Sequence, residues 1–258
     1  LGPQRYEILI DGVVVGRGEA RLDRLLAIHP AGDMRSIPGE ATRDPTYGLP
    51  ALWIDPAQRL AAQSARYTLV DPQTVLVTHL TEVLRRESAT LLTRAGTDAL
   101  LARVRQTQPT LVEELVPTVL AVTDIQCVLQ GLLREKVSIR HIEAILETLA
   151  DAGRSTKDTG ALVERVRQRL AQAICQGLVG EAGALQVLTL DPAIESQLLQ
   201  SLRGAEPGQP LALDPLVTER VMTRLVQQAE RMMKGNLLPV LLCSPELRRH
   251  LRALSERV

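Results

Sequence analysis

The chain contains no phenylalanine, one tryptophan and three tyrosines, so aromatic residues make up only 2% of its 258 positions. That scarcity removes the stacking platforms on which single-stranded nucleic-acid binders rely, and it leaves Leu, Val, Ile and Ala to build the core. Net charge is lacking as well. Thirty basic residues balance thirty acidic ones, so no overall field gathers nucleic acid or anionic lipid at the surface. Cysteine is sparse: Cys127, Cys175 and Cys243 lie far apart, which argues against a disulfide framework or a zinc ribbon and fits a reducing compartment. Their aliphatic neighbours suggest small buried hydrophobes rather than reactive thiols. Long apolar runs are missing too; LLPVLLC at 237–243 is a typical one, far short of the roughly 18 residues that a membrane helix needs.

Catalytic and metal motifs are equally thin. Gly16-x-Gly18 lacks the third glycine and the following helix of a phosphate loop, and reads as a twisted or bulged strand. No G-x-S-x-G, H-E-x-x-H or paired-cysteine motif occurs, and no Ser, His and Asp cluster supports a triad. His79 and Glu82 share a face of a predicted helix, but no second ligand pair accompanies them, so packing or surface pairing is the expected role. Neither a metal nor a cofactor is expected. The basic pairs Arg85-Arg86 and Arg248-Arg249 are interleaved with acids and read as solvated helix faces.

With 45% hydrophobic and 23% charged residues the chain is an ordinary globular sequence. It opens with two β-rich runs flanking Asp11-Gly12, a hairpin signal, expected to form the edge of a small sheet. LLAI and ALWI read as short buried strands. An apolar run followed by Asp-Pro or Ser-Pro recurs at Asp55, Asp71, Asp191, Asp214 and Ser244; a capping side chain followed by proline at the first helical position marks helix starts. From about 92 to 170 the apolar spacing is helical throughout, with 153–160 as an exposed loop. Within this region Ser138 is expected to cap a helix carrying Ile139, Ile142, Ile145, Leu146 and Leu149 on one face, with His141 in its first turn. The fold class is therefore mixed α/β (α+β), with two sheet-containing parts around a helical one.

Several long phrases, GLPALWI (48–54), YTLVDPQTVLVTHLTEVLRR (67–86), LVEELVP (111–117) and EKVSIRHIEAILETLAD (135–151), resemble the cytoplasmic domain of the export-gate family of bacterial type III secretion, the flagellar branch more than the virulence injectisome branch. The resemblance implies four small subdomains: a split α/β part (1–22 and 72–91), an inserted part (23–71), a helical part (92–171) and a last α/β part (172–258) lacking a closing strand. It implies a fragment whose membrane domain precedes it, at the cytoplasmic face of the inner membrane. It further implies a non-enzymatic platform that docks export chaperones with their substrates, contacts the export ATPase apparatus and self-associates into a nine-membered ring.

Read from the residues alone, Asp44 caps a turn and Tyr47 plugs the small core beneath. The family instead places an Asp-Pro-x-aromatic loop and a threonine of a T-V-x-x-T-H-L helix around a hydrophobic dimple that receives chaperones. The matching positions are Asp44, Tyr47 and Thr78, with Tyr where the family commonly has Phe. Pro30, Leu49, Val70 and Val75 are the apolar positions expected to line the same depression. Two other readings compete: a purely structural ring module, and an α/β hydrolase or transferase with its site at the strand ends.

Overall fold

The computed structural model describes residues 4–30, 32, 37–179, 183–203 and 215–256, divided between two compact units, Leu1–Leu92 and Thr93–Val258. The first unit begins with β1 (Arg5–Ile10) and β2 (Val13–Glu19), paired antiparallel. Asp11 and Gly12 turn the hairpin with φ of 49° and 81°, the left-handed values that a tight two-residue loop demands. A register shift falls between Ile8 and Leu9, opposite the glycine-containing stretch of β2. Contrary to expectation, the hairpin is not the edge of a larger sheet but a two-stranded sheet of its own, because β2 packs against a helix instead of another strand.

The main sheet is antiparallel in the order β4-β5-β3-β6, from β3 (Leu25–Ile28), β4 (Glu40–Arg43), β5 (Pro50–Ile54) and β6 (Thr68–Val70). Strand side chains alternate between faces, and here both faces are buried. Leu25, Ala27, Leu52 and Ile54 point to one side with Ala62 and Tyr67; Leu26, Ala51 and Trp53 point to the other with Val75. Double burial explains why LLAI and ALWI are continuous apolar runs. Asp55 caps the 3₁₀ turn at Pro56–Gln58 by accepting the Ala57 N–H at 2.9 Å, and α1 (Arg59–Ser64) follows. The other face is covered by α2 (Pro72–Arg86), whose buried stripe is Pro72, Val75, His79 and Val83; α3 (Ser88–Leu91) ends the unit.

In the second unit, α4 (Arg94–Thr107), α5 (Pro109–Leu115), α6 (Val122–Arg134), α7 (Ile142–Ala152), α8 (Thr159–Arg169) and α9 (Ala171–Gln176) form the predicted helical region. Its core is aliphatic: Leu115, Ile125, Leu129, Leu132, Ile145, Leu146, Leu149 and Leu162 are fully buried. Thr93 and Asp158 cap α4 and α8 by accepting the N–H groups of Gly96 and Ala161. Ser138 does not cap α7. Its hydroxyl reaches only the Arg140 N–H at 3.4 Å, and the helix starts at Ile142 with His141 in the cap position. Val137 and Ile142 are both buried, and the residues between them bridge the two anchors in a non-helical path. Ile142, Ile145, Leu146 and Leu149 are the buried stripe, as the spacing predicts; Ile139 lies outside the helix. The loop ends at Asp158, two residues sooner than expected because Thr159 and Gly160 already belong to α8; Arg154, Ser155, Lys157 and Asp158 are exposed, and Lys157 Nζ reaches back to the Gly153 carbonyl at 2.7 Å.

The chain then forms β7 (Leu188–Thr189), α10 (Pro192–Arg203), α11 (Pro215–Lys234), β8 (Leu241–Leu242) and α12 (Pro245–Ser255), with β7 and β8 parallel. Helices follow Asp191-Pro192 and Ser244-Pro245 as the proline pattern predicts, and Asp191 accepts the Ala193 N–H at 2.9 Å, but the side chains of Ser244 and of Asp71 before α2 make no capping hydrogen bond; Asp214 lies outside the described residues. Leu198, Leu247 and Leu251 centre a small core that Cys243 also touches, whereas Cys175 is exposed, not buried as its neighbours suggested, because α9 is short and buries no side chain. Among the described residues no helix is long and apolar enough to cross a membrane.

Arg248 is not on a solvated face. It donates to Glu164 at 2.9 to 3.0 Å and also to Glu135, while Arg167 pairs with the same Glu135 oxygen at 2.9 Å. The four side chains are 13–23% exposed, so the cluster joins α6, α8 and α12 with little solvent screening. Removing one partner of such a cluster strands the charges left behind. Glu135→Ala is expected to destabilise the chain by about 2–3 kcal/mol, against under 1 kcal/mol for Glu114→Ala, whose pair with Arg154 is exposed. Urea unfolding of the two variants checks this ordering, and equal losses would show that the cluster does not clamp the helices.

Candidate functional site

The turn between β4 and β5 is built around Asp44. Its side chain is only 6% exposed, its Oδ2 accepts the Tyr47 N–H at 2.7 Å, and its backbone accepts from Gly48 and donates to Leu49, both at 2.9 Å. Arg43 adds a hydrogen bond from Nη1 to the Gly48 carbonyl at 2.8 Å. A short polar side chain that holds the backbone three residues on fixes a turn locally. Asp44 therefore caps the turn, but Tyr47 does not plug a core: it is 66% exposed. The turn projects the ring outward because Asp44 occupies the inner position.

The other sequence-predicted positions separate into surface and interior. Thr78 and Pro30 are exposed, and Leu49 is 47% exposed. Val75 is buried at 2% and meets the half-buried Val70 in the core beneath α2, together with Leu26, Ala51 and Trp53. Val70 and Val75 are thus packed core side chains, while Asp44 and Tyr47 belong to the β4–β5 turn and Thr78 to the outer side of α2.

A feature that sequence reasoning missed lies beside Thr78 on α2. His79, next to Thr78, is 4% exposed and shares a hydrogen bond between its Nδ1 and the Tyr6 hydroxyl at 2.8 Å, with the rings tilted at 57°. Burial, then the charge of Asp44, pushes the Tyr6 hydroxyl up to about 12. Burial, reinforced by Arg86, holds His79 below its ordinary value, with Asp44 opposing. Glu82, the expected companion of His79, pairs with Arg85 at 3.0 Å. The available signal was Gly16-x-Gly18. A Cβ at Gly18 would lie 2.3 Å from the Tyr6 oxygen, and one at Gly16 would lie 3.2 Å from the His79 ring.

A cleft in the second unit encloses about 550 Å³ between α10, α11 and the parallel strands, with Leu190, Ile194, Val221 and Leu225 among its lining. Its ionisable groups are Asp191, Arg220 and Arg224, which offer no nucleophile and base in contact. Among the described residues no group of three or more His, Cys, Asp or Glu side chains is arranged to hold a metal.

Because the Tyr6 ring fills the space over Gly18, Gly18→Ala is expected to displace it, break its bond to His79 and destabilise the chain by about 2–3 kcal/mol. Gly12→Ala has open space around its side chain and is expected to cost only its backbone strain, about 1 kcal/mol. Denaturant unfolding compares them; a Gly18→Ala cost no larger than that of Gly12→Ala would mean that the hairpin yields freely.

The FHIPEP family model matches residues 1–258. The flagellar biosynthesis protein FlhA of Bacillus subtilis is 38% identical over 257 residues, covering all of this chain and 38% of that protein, so the chain spans less than two fifths of that relative. The CdsV protein of Chlamydia pneumoniae has the same fold, with a TM-score of 0.78 at 24% identity over 99% of this chain and 74% of that one. The nonameric SctV-C of EPEC superposes with a TM-score of 0.74 at 22% identity over 98% of this chain and 76% of that one. The flagellar protein is thus nearer in sequence than these two proteins of the same fold. With a match along its whole length, the chain belongs to the FHIPEP family.

Proposed function

We propose that this chain is the docking part of a flagellar type III export gate, receiving export chaperones with their bound substrates at Asp44, Tyr47 and Thr78. The observation that carries the reading is Tyr47: an aromatic ring, two thirds exposed, on a turn braced by a buried aspartate, in a chain with only four aromatic residues. Rigid exposed aromatics are the usual anchors of protein interfaces, because they bring large contact area at low entropic cost. The exposed Leu49 extends that apolar surface, Pro30 is exposed as well, and Val70 and Val75 support it from below. The mechanism is reversible binding without covalent chemistry.

Membership of the family and the flagellar relative support placement at the cytoplasmic face of the bacterial inner membrane, with the membrane anchored through a part of the protein outside this chain. The nonameric SctV-C supports self-association into a ring, and exposed Leu76, Val77, Leu80 and Leu84 on α2 provide apolar surface for protein contacts. Contacts with the export ATPase apparatus complete the proposed set of partners. A four-part division of the two units, at the boundaries read from the sequence, is retained as part of the proposal.

Calorimetric titration with a purified flagellar chaperone–substrate complex from the same organism tests the docking role. Saturable binding by the parent chain is expected, at least tenfold weaker for Tyr47→Ala and Asp44→Ala, about 1.4 kcal/mol or more, and weakened for Thr78→Ala, with melting curves verifying the fold. A parent chain that fails to bind, or variants that bind as the parent does, would replace this reading with that of a structural ring module.

A further inference from the structure

We propose that the cleft between α10, α11 and the strand pair β7–β8 is a binding site for a small amphipathic carboxylate of the fatty-acid class, its aliphatic body held among the apolar walls and its carboxylate by Arg220 and Arg224. The site belongs to the second unit, and the proposal is independent of the docking reading.

The apolar part of the site comes from a helix whose stripe is not used up by packing. α11 has 20 residues, and Val217, Val221 and Leu225 recur in it every four positions, so they share a face. Such a stripe ordinarily closes a core, yet none of the described side chains of α11 is buried. These three are half-buried and line the cleft together with Leu190, Ile194 and Leu241. The space of about 550 Å³ falls within the range of small-molecule sites. Its lining on α11 runs from Val217 to Gln228, about 16 Å at the rise of a helix. A helix with its side chains would occupy roughly 1,300 Å³ over that length, so the cleft suits a single extended chain better than a whole helix.

The charge of the lining selects an anion. Arg220 and Arg224 stand about one helical turn apart and line the cleft. Both also line the adjoining flank of α11, beside Glu219 and Gln227, which places them at the rim. Neither guanidinium forms an ion pair or hydrogen bond among the described residues. Asp191, the one acid among the described lining residues, is engaged at the start of α10, where its Oδ1 accepts the Ala193 N–H at 2.9 Å. Like charges at four-residue spacing repel. A carboxylate between the two forks relieves that repulsion and accepts charge-assisted hydrogen bonds from both. The remaining polar lining, Thr189, Gln197 and Gln228, is neutral, which favours one anionic group on an apolar body.

The test titrates the 258-residue chain with dodecanoate below its micelle concentration, by calorimetry and by methyl NMR, against dodecanol and against an Arg220→Ala, Arg224→Ala double variant. Both arginines are exposed, so the double variant keeps its fold, which circular dichroism verifies. Saturable binding of dodecanoate is expected, with shifts of the Ile194, Val221 and Leu225 methyl signals and a melting temperature that rises with ligand concentration. Binding is expected to be at least tenfold weaker for dodecanol, and for dodecanoate in the double variant. No saturable binding by the parent, methyl shifts confined to residues outside the cleft, or equal affinity for dodecanol or in the double variant overturns the proposal. A peptide helix bearing glutamates beside an apolar stripe that shifts the same methyls, where dodecanoate shifts none, also overturns it and assigns the cleft to a protein partner.

Discussion

The first unit depends on the burial of a single stripe of α2. Pro72, Val75, His79 and Val83 recur at three- and four-residue spacing on one face, and that face has two neighbours, the sheet at β3 and the hairpin at β2. Val75 closes the Trp53 core over the sheet, while His79 and Val83 meet the hairpin at Gly16. Burial of a Val-sized side chain contributes roughly 1.5–3 kcal/mol; the single polar member of the stripe is tolerated because Tyr6 satisfies its Nδ1. The same constraint gives the helix its orientation, which directs Thr78 outward and leaves Leu76, Leu80 and Leu84 exposed.

The candidate docking surface combines rigidity below with exposure above. Asp44 is buried and holds the Tyr47 N–H within its own turn, so its role is first conformational. Tyr47 is presented as a consequence of that turn. Interfaces gain affinity when the anchoring side chain is pre-organised, because less freedom is lost on binding. The chain has so few aromatics that the position of each one is informative: Trp53 and Tyr67 are core residues, Tyr6 joins strand to helix, and Tyr47 alone stands in solvent.

The second unit solves a different problem, that of joining a helical bundle to a small α/β part whose own core is modest. Glu135 and Glu164 on the bundle side meet Arg248 on α12 and Arg167 on α8. Bidentate and shared carboxylate contacts specify geometry more sharply than apolar packing does, and partial burial spares them the screening that weakens surface pairs. This charge cluster supplements the Leu198–Leu247–Leu251 core by fixing where α12 sits on α6 and α8.

Local rules were readable where chemistry acts over a few residues. Asp11-Gly12 specified the hairpin through its left-handed backbone, proline after Asp55, Asp71, Asp191 and Ser244 marked helix starts, and the spacing of Ile142, Ile145, Leu146 and Leu149 named the buried face of α7. Asp44 was legible as the residue that caps its turn for the same reason. The start of α7, the charge cluster at Arg248 and the exposure of Cys175 were not legible, since each depends on which distant residues are packed against it: Val137 anchors one, Glu135 and Glu164 define another, and the shortness of α9 decides the third. The sequence by itself determined the mixed α/β class, the aliphatic core and the family. Tertiary structure decided that Tyr47 faces solvent and that His79 is buried against Tyr6, because the direction of a side chain is set by the space that neighbouring elements leave, here by two glycines 61 and 63 residues earlier in the chain than the histidine they accommodate.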